Sequence, residues 1–244
     1  MLYAPNPILM YHHIASAPSD AGKHHVLYVP RHEFAAQLDA LQSMGYKTVT
    51  STEYQKTLAA QNSRQKVVWI TFDDGFLNNY EVALPELQAR GMVATFFVVV
   101  NRTLVQPEAH YMTPQMLLNL EAAGMEVASH TLSHPRLSNL PEPDILQELQ
   151  QSRTLLEAHL GKPQPAFCFP YGDHNRAVLS AVQQAGYSLS VSTIRGNKNT
   201  EADRWRLKRI MIGPGRTGGK FRYSFTPLYH LLHQKKNASR WKLT

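Results

Sequence analysis

Hydrophobic and polar positions follow a repeated pattern along the chain, in which a helix-like segment ends at a glycine and a short apolar strand follows. The pattern occurs at residues 38–50, 86–100, 118–130 and 181–193, with a looser copy at 155–170. A glycine after the last helical turn can take the left-handed conformation that ends a helix. Because each strand begins within a few residues of its helix, the pattern is typical of α/β units.

Three further apolar runs, at residues 8–14, 66–72 and 206–212, bring the number of candidate strands to about eight. Helix–strand units in series favour parallel strands joined by helical crossovers. In a chain of 244 residues, about eight such strands indicate a closed β/α barrel rather than an open sheet. No serine–glycine linker interrupts them, so we predict a single domain over residues 1–244 with a basic tail at 235–244.

Composition narrows the class of protein without naming an activity. Hydrophobic residues make up 43% of the chain and charged residues 18%, which allows a core and argues against general disorder. The formal net charge of +7 favours anionic partners, such as a polyanionic glycan, a lipid-linked phosphosugar, a membrane surface or nucleic acid. No basic helix or aromatic–basic interleaving is found, so specific nucleic-acid binding is not expected.

The single cysteine, Cys168, excludes an intrachain disulfide and a zinc site built from several cysteines. The first residues, MLYAPNPILMYHHI, lack the basic and long apolar regions of a signal peptide. The most apolar stretch, residues 92–100, is shorter than the roughly 20 residues that cross a bilayer. We therefore expect a protein that is not transmembrane and is cytoplasmic, although a chain trimmed of an export signal would look the same.

Residues that can bind a metal or move a proton gather at the ends of four predicted strands. They are His12 and His13 in the first strand, Asp73 and Asp74 after residues 66–72, His130 and His134 after residues 125–129, and Tyr171 after residues 166–170. In a β/α barrel, the C-terminal ends of the strands meet at the face that carries the chemistry. Because the residues come from four separate parts of the chain, we expect them to form one site.

The segment SHTLSHP, residues 129–135, places His130 and His134 four positions apart. On a helical turn this spacing would put both imidazoles on one face, where they can bind one ion. An isolated pair of this kind is more often two surface histidines, but the carboxylates at another strand end favour a metal site. Two histidines and one carboxylate leave positions open for water and substrate, as hydrolytic sites require. The expected ion is a divalent metal, zinc first, with cobalt, nickel or iron as alternatives.

Two adjacent carboxylates, Asp73 and Asp74, disfavour each other's ionisation unless a cation or hydrogen bonds intervene. A metal ion would account for both carboxylates, because one can bind the ion while the other acts as a general base toward water. Adjacent strand residues point to opposite sides, but Gly75 predicts a turn that lets both side chains reach the site. On its own, Asp-Asp-Gly would be interpreted as a helix N-cap with a turn.

The motifs TFDDG, SHTLSHP and FPYG, in this order, resemble those of the polysaccharide deacetylases of carbohydrate esterase family 4, the NodB-homology domain. The resemblance covers most of the chain and implies a distorted (β/α)7 barrel that removes N- or O-acetyl groups from sugars with a divalent metal. By motif, it implies Asp73 as the catalytic base and Asp74, His130 and His134 as the metal ligands. It also implies that the backbone N–H of Tyr171 helps to hold the oxyanion. The expected substrate is an N-acetylated sugar, a polysaccharide or a lipid-linked glycan.

Two features depart from the common family pattern. The arginine that orients the base is replaced by Cys168; Arg209 is a candidate substitute, although a surface salt bridge is the favoured interpretation of that residue. The C-terminal acid histidine is also missing, because residues 228–233 are better interpreted as an amphipathic helix. The start of the chain resembles the poly-N-acetylglucosamine deacetylase branch, whose acid histidine lies near the N terminus, and this implies His12 as the acid. Strand alternation then predicts that His13 is structural or faces solvent.

Three alternatives stay open on the sequence. The same site could act on an O-acetyl ester, on a formamide of a lipid-linked sugar or on a non-sugar amide. The missing third-motif arginine allows a metal-binding carbohydrate module without turnover. The net charge of +7 alone allows a nucleic-acid-binding protein.

Overall fold

Strands and helices alternate along the chain in the computed structural model, which describes residues 3–4, 6–60 and 66–237. The strands are β1 (Ile8–Tyr11), β2 (Lys47–Thr48), β3 (Val67–Phe72), β4 (Thr95–Val98), β5 (Glu126–Ser129), β6 (Ala166–Cys168), β7 (Leu189–Arg195) and β8 (Leu207–Met211). The α-helices are α1 (Arg31–Ser43), α2 (Ser51–Ala59), α3 (Leu84–Gln88), α4 (Pro114–Ala122), α5 (Glu142–Leu160), α6 (Arg176–Gln184), α7 (Gly218–Tyr223) and α8 (Pro227–Lys236). The eight candidate strands are confirmed, although the first ends before His12. Of the predicted basic tail, residues 238–244 lie outside the described part.

Seven of these strands close into a parallel barrel in the order β1-β8-β7-β6-β5-β4-β3, and β3 pairs back onto β1. Strand β2 stays outside the ring and pairs with the first two residues of β3. The ring is uneven: β5 and β6 share one residue pair, and the pairing of β7 with β8 shifts between Val191 and Arg195. The predicted distorted (β/α)7 barrel is therefore confirmed.

Both faces of the barrel strands are buried. One set of alternating residues, including Ile8, Trp69 and Ala128, forms a cluster inside the ring, while their neighbours pack against the outer helices. Burial on both faces explains why the strands read as continuous apolar runs rather than alternating ones. Tyr54 and Leu58 of α2 join the inner cluster and cover the N-terminal end of the barrel.

The helix predicted at residues 228–233 is confirmed as part of α8, but its amphipathic character is not, because three of its leucines are exposed. Its Tyr229 is buried, whereas Leu228, Leu231 and Leu232 are about half exposed. Within residues 3–4, 6–60 and 66–237, no helix is long and apolar enough to span a membrane.

Candidate active site

Polar side chains line the C-terminal end of the barrel because each continues the inward alternation of its strand. His130 is two positions beyond the inner residue Ala128, and Arg209 is two positions beyond the inner residue Leu207. Asp73 continues the series that contains Trp69. Since strand side chains repeat with a period of two, these groups converge above the apolar filling of the ring.

Asp73 and Arg209 form a buried, bidentate ion pair. The two terminal nitrogens of Arg209 donate to the two carboxylate oxygens of Asp73, each at 2.7 Å. The guanidinium also donates to the Ser192 carbonyl at 2.9 Å and to Thr71 Oγ1 at 3.0 Å. Arg209 is fully buried, so its interpretation as a surface salt bridge is wrong. The inward position on β8 directs the guanidinium at the carboxylate of Asp73.

Burial and Arg209 shift the pKa of Asp73 in opposite directions. Burial alone would raise the pKa, but the charge and hydrogen bonds of Arg209 outweigh it and hold the pKa below its usual value. Asp73 is therefore a carboxylate at neutral pH and can accept a proton. Arg209 occupies only part of the acceptor capacity of a carboxylate, which has about four lone-pair sites.

Asp74, His130 and His134 converge beside this pair. The Nε2 atoms of His130 and His134 lie 3.4 and 3.2 Å from Oδ1 of Asp74. The Nδ1–H of His130 donates to the Cys168 carbonyl at 2.7 Å, so Nε2 is the ring atom that faces Asp74. Two imidazoles and a carboxylate, with their ligand atoms within 4.8 Å of one another, fit a divalent metal ion.

Four non-glycine residues in the described ranges have positive φ angles, and all four lie in the loops of this site. They are Asp74 (78°), Thr131 (69°), His134 (67°) and Tyr171 (59°). Residues with side chains rarely adopt this conformation, and such strain clusters at functional sites. At Asp74, followed by Gly75 at 82°, it accompanies the approach of the second carboxylate to His130 and His134. The predicted turn therefore begins one residue earlier than Gly75.

His130 and His134 are close together, as predicted, but the helical turn proposed for them is wrong. Residues 130–136 form an irregular loop that reverses at Thr131 and His134. The His134 N–H donates to Thr131 Oγ1, and Glu148 of α5 accepts two further loop N–H groups, all at 2.9 Å. Hydrogen bonds to the loop backbone, rather than helical spacing, hold the second histidine in place.

His13 is a packing residue. Its ring lies between those of Tyr28 and Phe76, with centroid distances of 4.2 and 3.7 Å, and its Nδ1 is 3.0 Å from Asn78 Nδ2. Burial lowers the pKa of His13 to about 4, so the ring is neutral near pH 7. The structural position expected for His13 agrees with these contacts.

His12 points toward the site instead. It follows Tyr11, which pairs with Phe72, so the register places His12 beside Asp73. Its side chain is half-buried and close enough to both Asp73 and Asp74 to interact with them electrostatically. The two histidines therefore diverge at the end of β1, one into the site and one into an aromatic stack.

Tyr171 lies at the rim of the site, in a tight turn directly after β6. Its ring packs edge-on against His134 at 4.7 Å and under the Arg136 guanidinium at 4.4 Å. Gly172 is required in this turn, because a side chain there would collide with Thr193. Tyr171 as a whole is 54% exposed, so it borders both a candidate metal ligand and solvent. Its oxyanion role stays a prediction.

The sequence profile of the family "Polysaccharide deacetylase" matches residues 60–190, which include Asp73, Asp74, His130 and His134. The chain is also 32% identical to YxkH of Bacillus subtilis (strain 168) over 216 residues, 88% of this chain and 74% of YxkH. The protein belongs to the polysaccharide deacetylase family.

Two further similarities extend beyond the matched segment. The chain is 25% identical over 202 residues to a poly-β-1,6-N-acetyl-D-glucosamine N-deacetylase of Staphylococcus aureus, covering 75% of this chain and 67% of that one. The structure of the Streptococcus pyogenes deacetylase PplD in complex with acetate is 27% identical and superposes with a TM-score of 0.85, covering 93% of this chain and all of that chain.

This polysaccharide deacetylase brings an arginine to Asp73 from β8 rather than from β6. Cys168 stands where the common pattern has arginine, and its Sγ lies 3.3 Å from the Arg209 guanidinium. Burial raises the pKa of the Cys168 thiol, so it is neutral and compatible with a neighbouring cation–carboxylate pair. The smaller side chain at Cys168 leaves room for the guanidinium that arrives from β8.

Sequence reasoning missed the residues that support the site. Thr71 and Ser192 hold the Arg209 guanidinium, and Glu148 holds the loop that carries His134. A signal for Arg209 was present, because it lies two positions beyond Leu207 on the inward face of a strand. No comparable signal marks Glu148, whose contact depends on how α5 packs beside β5.

Proposed function

We propose that this polysaccharide deacetylase is a metal-dependent hydrolase that removes N-acetyl, or related acyl, groups from a sugar or polysaccharide. The observation that carries the proposal is the pairing of two groups at one end of the barrel. Asp73, fixed by Arg209, lies directly beside the convergent set Asp74, His130 and His134. A held carboxylate base next to a three-ligand set with open positions is the arrangement that metal-assisted hydrolysis requires.

The ligand set would be Asp74, His130 and His134. Imidazole and carboxylate donors suit zinc first, and cobalt, nickel or iron as well. When bound, the ion supplies Lewis-acid activation of water and of the acyl carbonyl. The Nδ1–H bond from His130 to the Cys168 carbonyl keeps that ligand in the required tautomer.

The chain's own residues supply the proton transfers. Asp73 accepts the proton of the attacking water on a lone pair that Arg209 leaves free, while Arg209 keeps the carboxylate oriented and ionised. The Tyr171 N–H is the proposed donor to the oxyanion of the tetrahedral intermediate. His12, as imidazolium, then gives a proton to the leaving amine as the C–N bond breaks, yielding acetate and a free amino sugar.

The substrate class rests on the relatives, and the chemistry rests on the site. The family and a relative named poly-β-1,6-N-acetyl-D-glucosamine N-deacetylase support an acetylated sugar polymer. A lipid-linked glycan stays a prediction. The alternative of a non-catalytic carbohydrate module rests on the missing third-motif arginine, and Arg209 contacts the base in its place. Product analysis across amide and ester substrates separates N- from O-deacetylation. Cytoplasmic action stays a prediction.

His12→Ala is expected to lower acetate release from N-acetylglucosamine oligomers by about 10²- to 10³-fold, because the leaving amine then departs without a proton from the enzyme. Metal content and the free energy of unfolding should stay close to those of the unmodified protein. The measurement is kcat/KM by acetate release, with metal analysis of the same samples.

The matched control for this variant is His13→Phe, which keeps a ring between Tyr28 and Phe76 but has no titratable group. It should retain activity within about threefold. A His12→Ala protein as active as the His13→Phe protein would remove His12 from the proton transfer.

A further inference from the structure

A second feature of the C-terminal end of the barrel is a groove between the last strands and the C-terminal helices. It consists of two cavities of about 570 and 250 Å³, which adjoin because Pro214, Arg216 and Tyr229 line both. The larger cavity has the volume of a typical small-molecule site. We call it the cationic groove; its lining includes Arg195, Met211, Arg216, Lys220, Tyr223 and Tyr229.

One end of the cationic groove is formed by the strand that carries Arg209. Met211, which lines the smaller cavity, is the last residue of β8 and lies two positions beyond Arg209. Two residues along a strand span about 6.6 Å, so this end of the groove lies about that far from the backbone of Arg209, whose side chain contacts Asp73. A ligand longer than one sugar ring can therefore occupy the site and the groove together.

Positive charge in the groove is offset only in part by the chain, because one carboxylate, Glu33, accepts from the backbone N–H of the lining residue Gly215 at 2.8 Å. Neither cavity is lined by an aspartate or a glutamate, and Arg195, Arg216 and Lys220 have no carboxylate partner within the described ranges. Other arginines of the chain are neutralised: Arg31 and Arg90, for example, both pair with Glu86 at 2.7 Å. The groove thus presents three side-chain cations to a bound ligand.

Arg216 is held in place by hydrogen bonds that connect it to the strand preceding His12. Its Nη1 donates to Ser224 Oγ at 2.6 Å, and its carbonyl accepts from Gln37 Nε2 at 2.9 Å. Gln37 in turn accepts from the hydroxyl of Tyr11, the residue before His12, at 2.9 Å. This chain of hydrogen bonds orders the backbone and guanidinium of Arg216 before any ligand arrives, which lowers the entropic cost of binding.

The chemistry of these groups matches a phosphate. A phosphomonoester brings a charge of about −1.5 to −2 and three strong acceptor oxygens. It can therefore bind several cations at once, which a single carboxylate does less well. Guanidinium groups bind phosphate with two parallel hydrogen bonds, and a lysine adds a point charge. Tyr223 and Tyr229 add ring surface for an apolar sugar face.

We propose that the cationic groove binds a phosphate group of the substrate while the acetylated sugar of that substrate lies at Asp73. The inference rests on the proposed function and narrows its substrate class to phosphorylated N-acetyl sugars and phosphate-bearing glycans. It uses Arg195, Arg216 and Lys220, which take no part in the acyl transfer itself.

The test is binding measured by isothermal titration calorimetry with Asp73→Asn protein, or with His12→Ala protein if the first does not fold. The ligands are N-acetylglucosamine 1-phosphate, N-acetylglucosamine and inorganic phosphate. The phosphorylated sugar should bind about tenfold or more tightly than the neutral sugar, and the advantage should shrink as salt is added. Lys220→Gln should remove most of the advantage.

The matched control is Arg222→Gln, which removes one charge from the same helix, α7, but lies outside the lining of the groove. It should keep the preference for the phosphorylated sugar. Equal binding of the two sugars, or a preference that Lys220→Gln leaves intact, would overturn the proposal. Lys220-dependent binding to phosphatidylglycerol vesicles without a sugar-phosphate preference would also overturn it and assign the groove to lipid headgroups.

Because binding is measured without turnover, the two proposals fail separately. A phosphate preference without acetate release from any acetylated sugar would remove the proposed function and leave the groove. Acetate release without a preference for the phosphorylated sugar would remove the proposed role of the groove and leave the proposed function.

Discussion

Asp73→Asn is expected to lower acetate release by about 10³-fold or more while one metal ion per chain stays bound. The amide cannot take the proton of the attacking water, and general-base catalysis contributes about 10²- to 10⁴-fold in enzymes. The proposed ligands Asp74, His130 and His134 are unchanged, so metal content should not fall. The measurement is kcat/KM with N-acetylglucosamine oligomers, beside metal analysis of the purified variant.

The same substitution leaves Arg209 buried without its carboxylate, which costs about 3–5 kcal/mol in comparable pairs. Urea unfolding should therefore confirm that the variant is folded under the assay conditions. Asp173→Asn is the matched control, because Asp173 also follows a barrel strand but accepts hydrogen bonds from Ser138. A folded Asp73→Asn protein as active as Asp173→Asn would show that the base is another group.

Arg209→Met is expected to have the largest effect on stability, lowering the free energy of unfolding by about 3–5 kcal/mol. Asp73 would stay buried and lose the cation that holds its pKa down, so burial would then raise that pKa. The stability of Arg209→Lys should lie between those of the unmodified protein and Arg209→Met, because lysine keeps the charge but loses the bidentate geometry. The measurement is urea unfolding of all three proteins.

The two proteins should differ in how the free energy of unfolding changes with pH. In the unmodified protein the pKa of Asp73 is depressed, so the pair stabilises the fold above the unfolded-state pKa, near 3.9, and this is lost as pH falls. In Arg209→Met the folded-state pKa is raised, so stability is lost as pH rises instead. The acid limb of kcat/KM should move to higher pH.

The control for this series is Arg31→Met, which removes an exposed arginine that pairs with Glu86. It should change stability by about 1 kcal/mol or less, as surface pairs do. An Arg209→Met protein as stable as Arg31→Met would mean that the buried pair does not stabilise the fold, and an unmoved acid limb would mean that Arg209 does not set the ionisation of Asp73.

The fold was largely predictable because its signals are local. Helix-ending glycines and apolar runs are properties of short segments, and they predicted each strand that the structure contains. The position of β2 outside the ring was not predictable. It depends on which strands pair over long distances, and β2, with two residues, pairs only with the start of β3.

The site was predictable where motifs fix adjacent residues, and less so where geometry depends on distant strands. TFDDG and SHTLSHP indicated Asp73, Asp74 and both histidines. The left-handed backbone that aims Asp74 and His134 carries no glycine at those positions, so no sequence signal marked it. Arg209 was a candidate for orienting the base, but a surface salt bridge was favoured. Its place two residues beyond Leu207 marks the inward face of a strand, yet burial shows only once that strand is placed beside β1.

The most direct test of a catalytic metal is a zinc titration of metal-stripped protein, with acetate release from N-acetylglucosamine oligomers measured at each addition. We expect acetate release to rise with zinc and to saturate at one equivalent, and we expect His134→Ala to lose both tight binding and activity. Full acetate release before any metal is added, or a His134→Ala protein activated at the same zinc concentration as the unmodified chain, would contradict a catalytic metal at Asp74, His130 and His134.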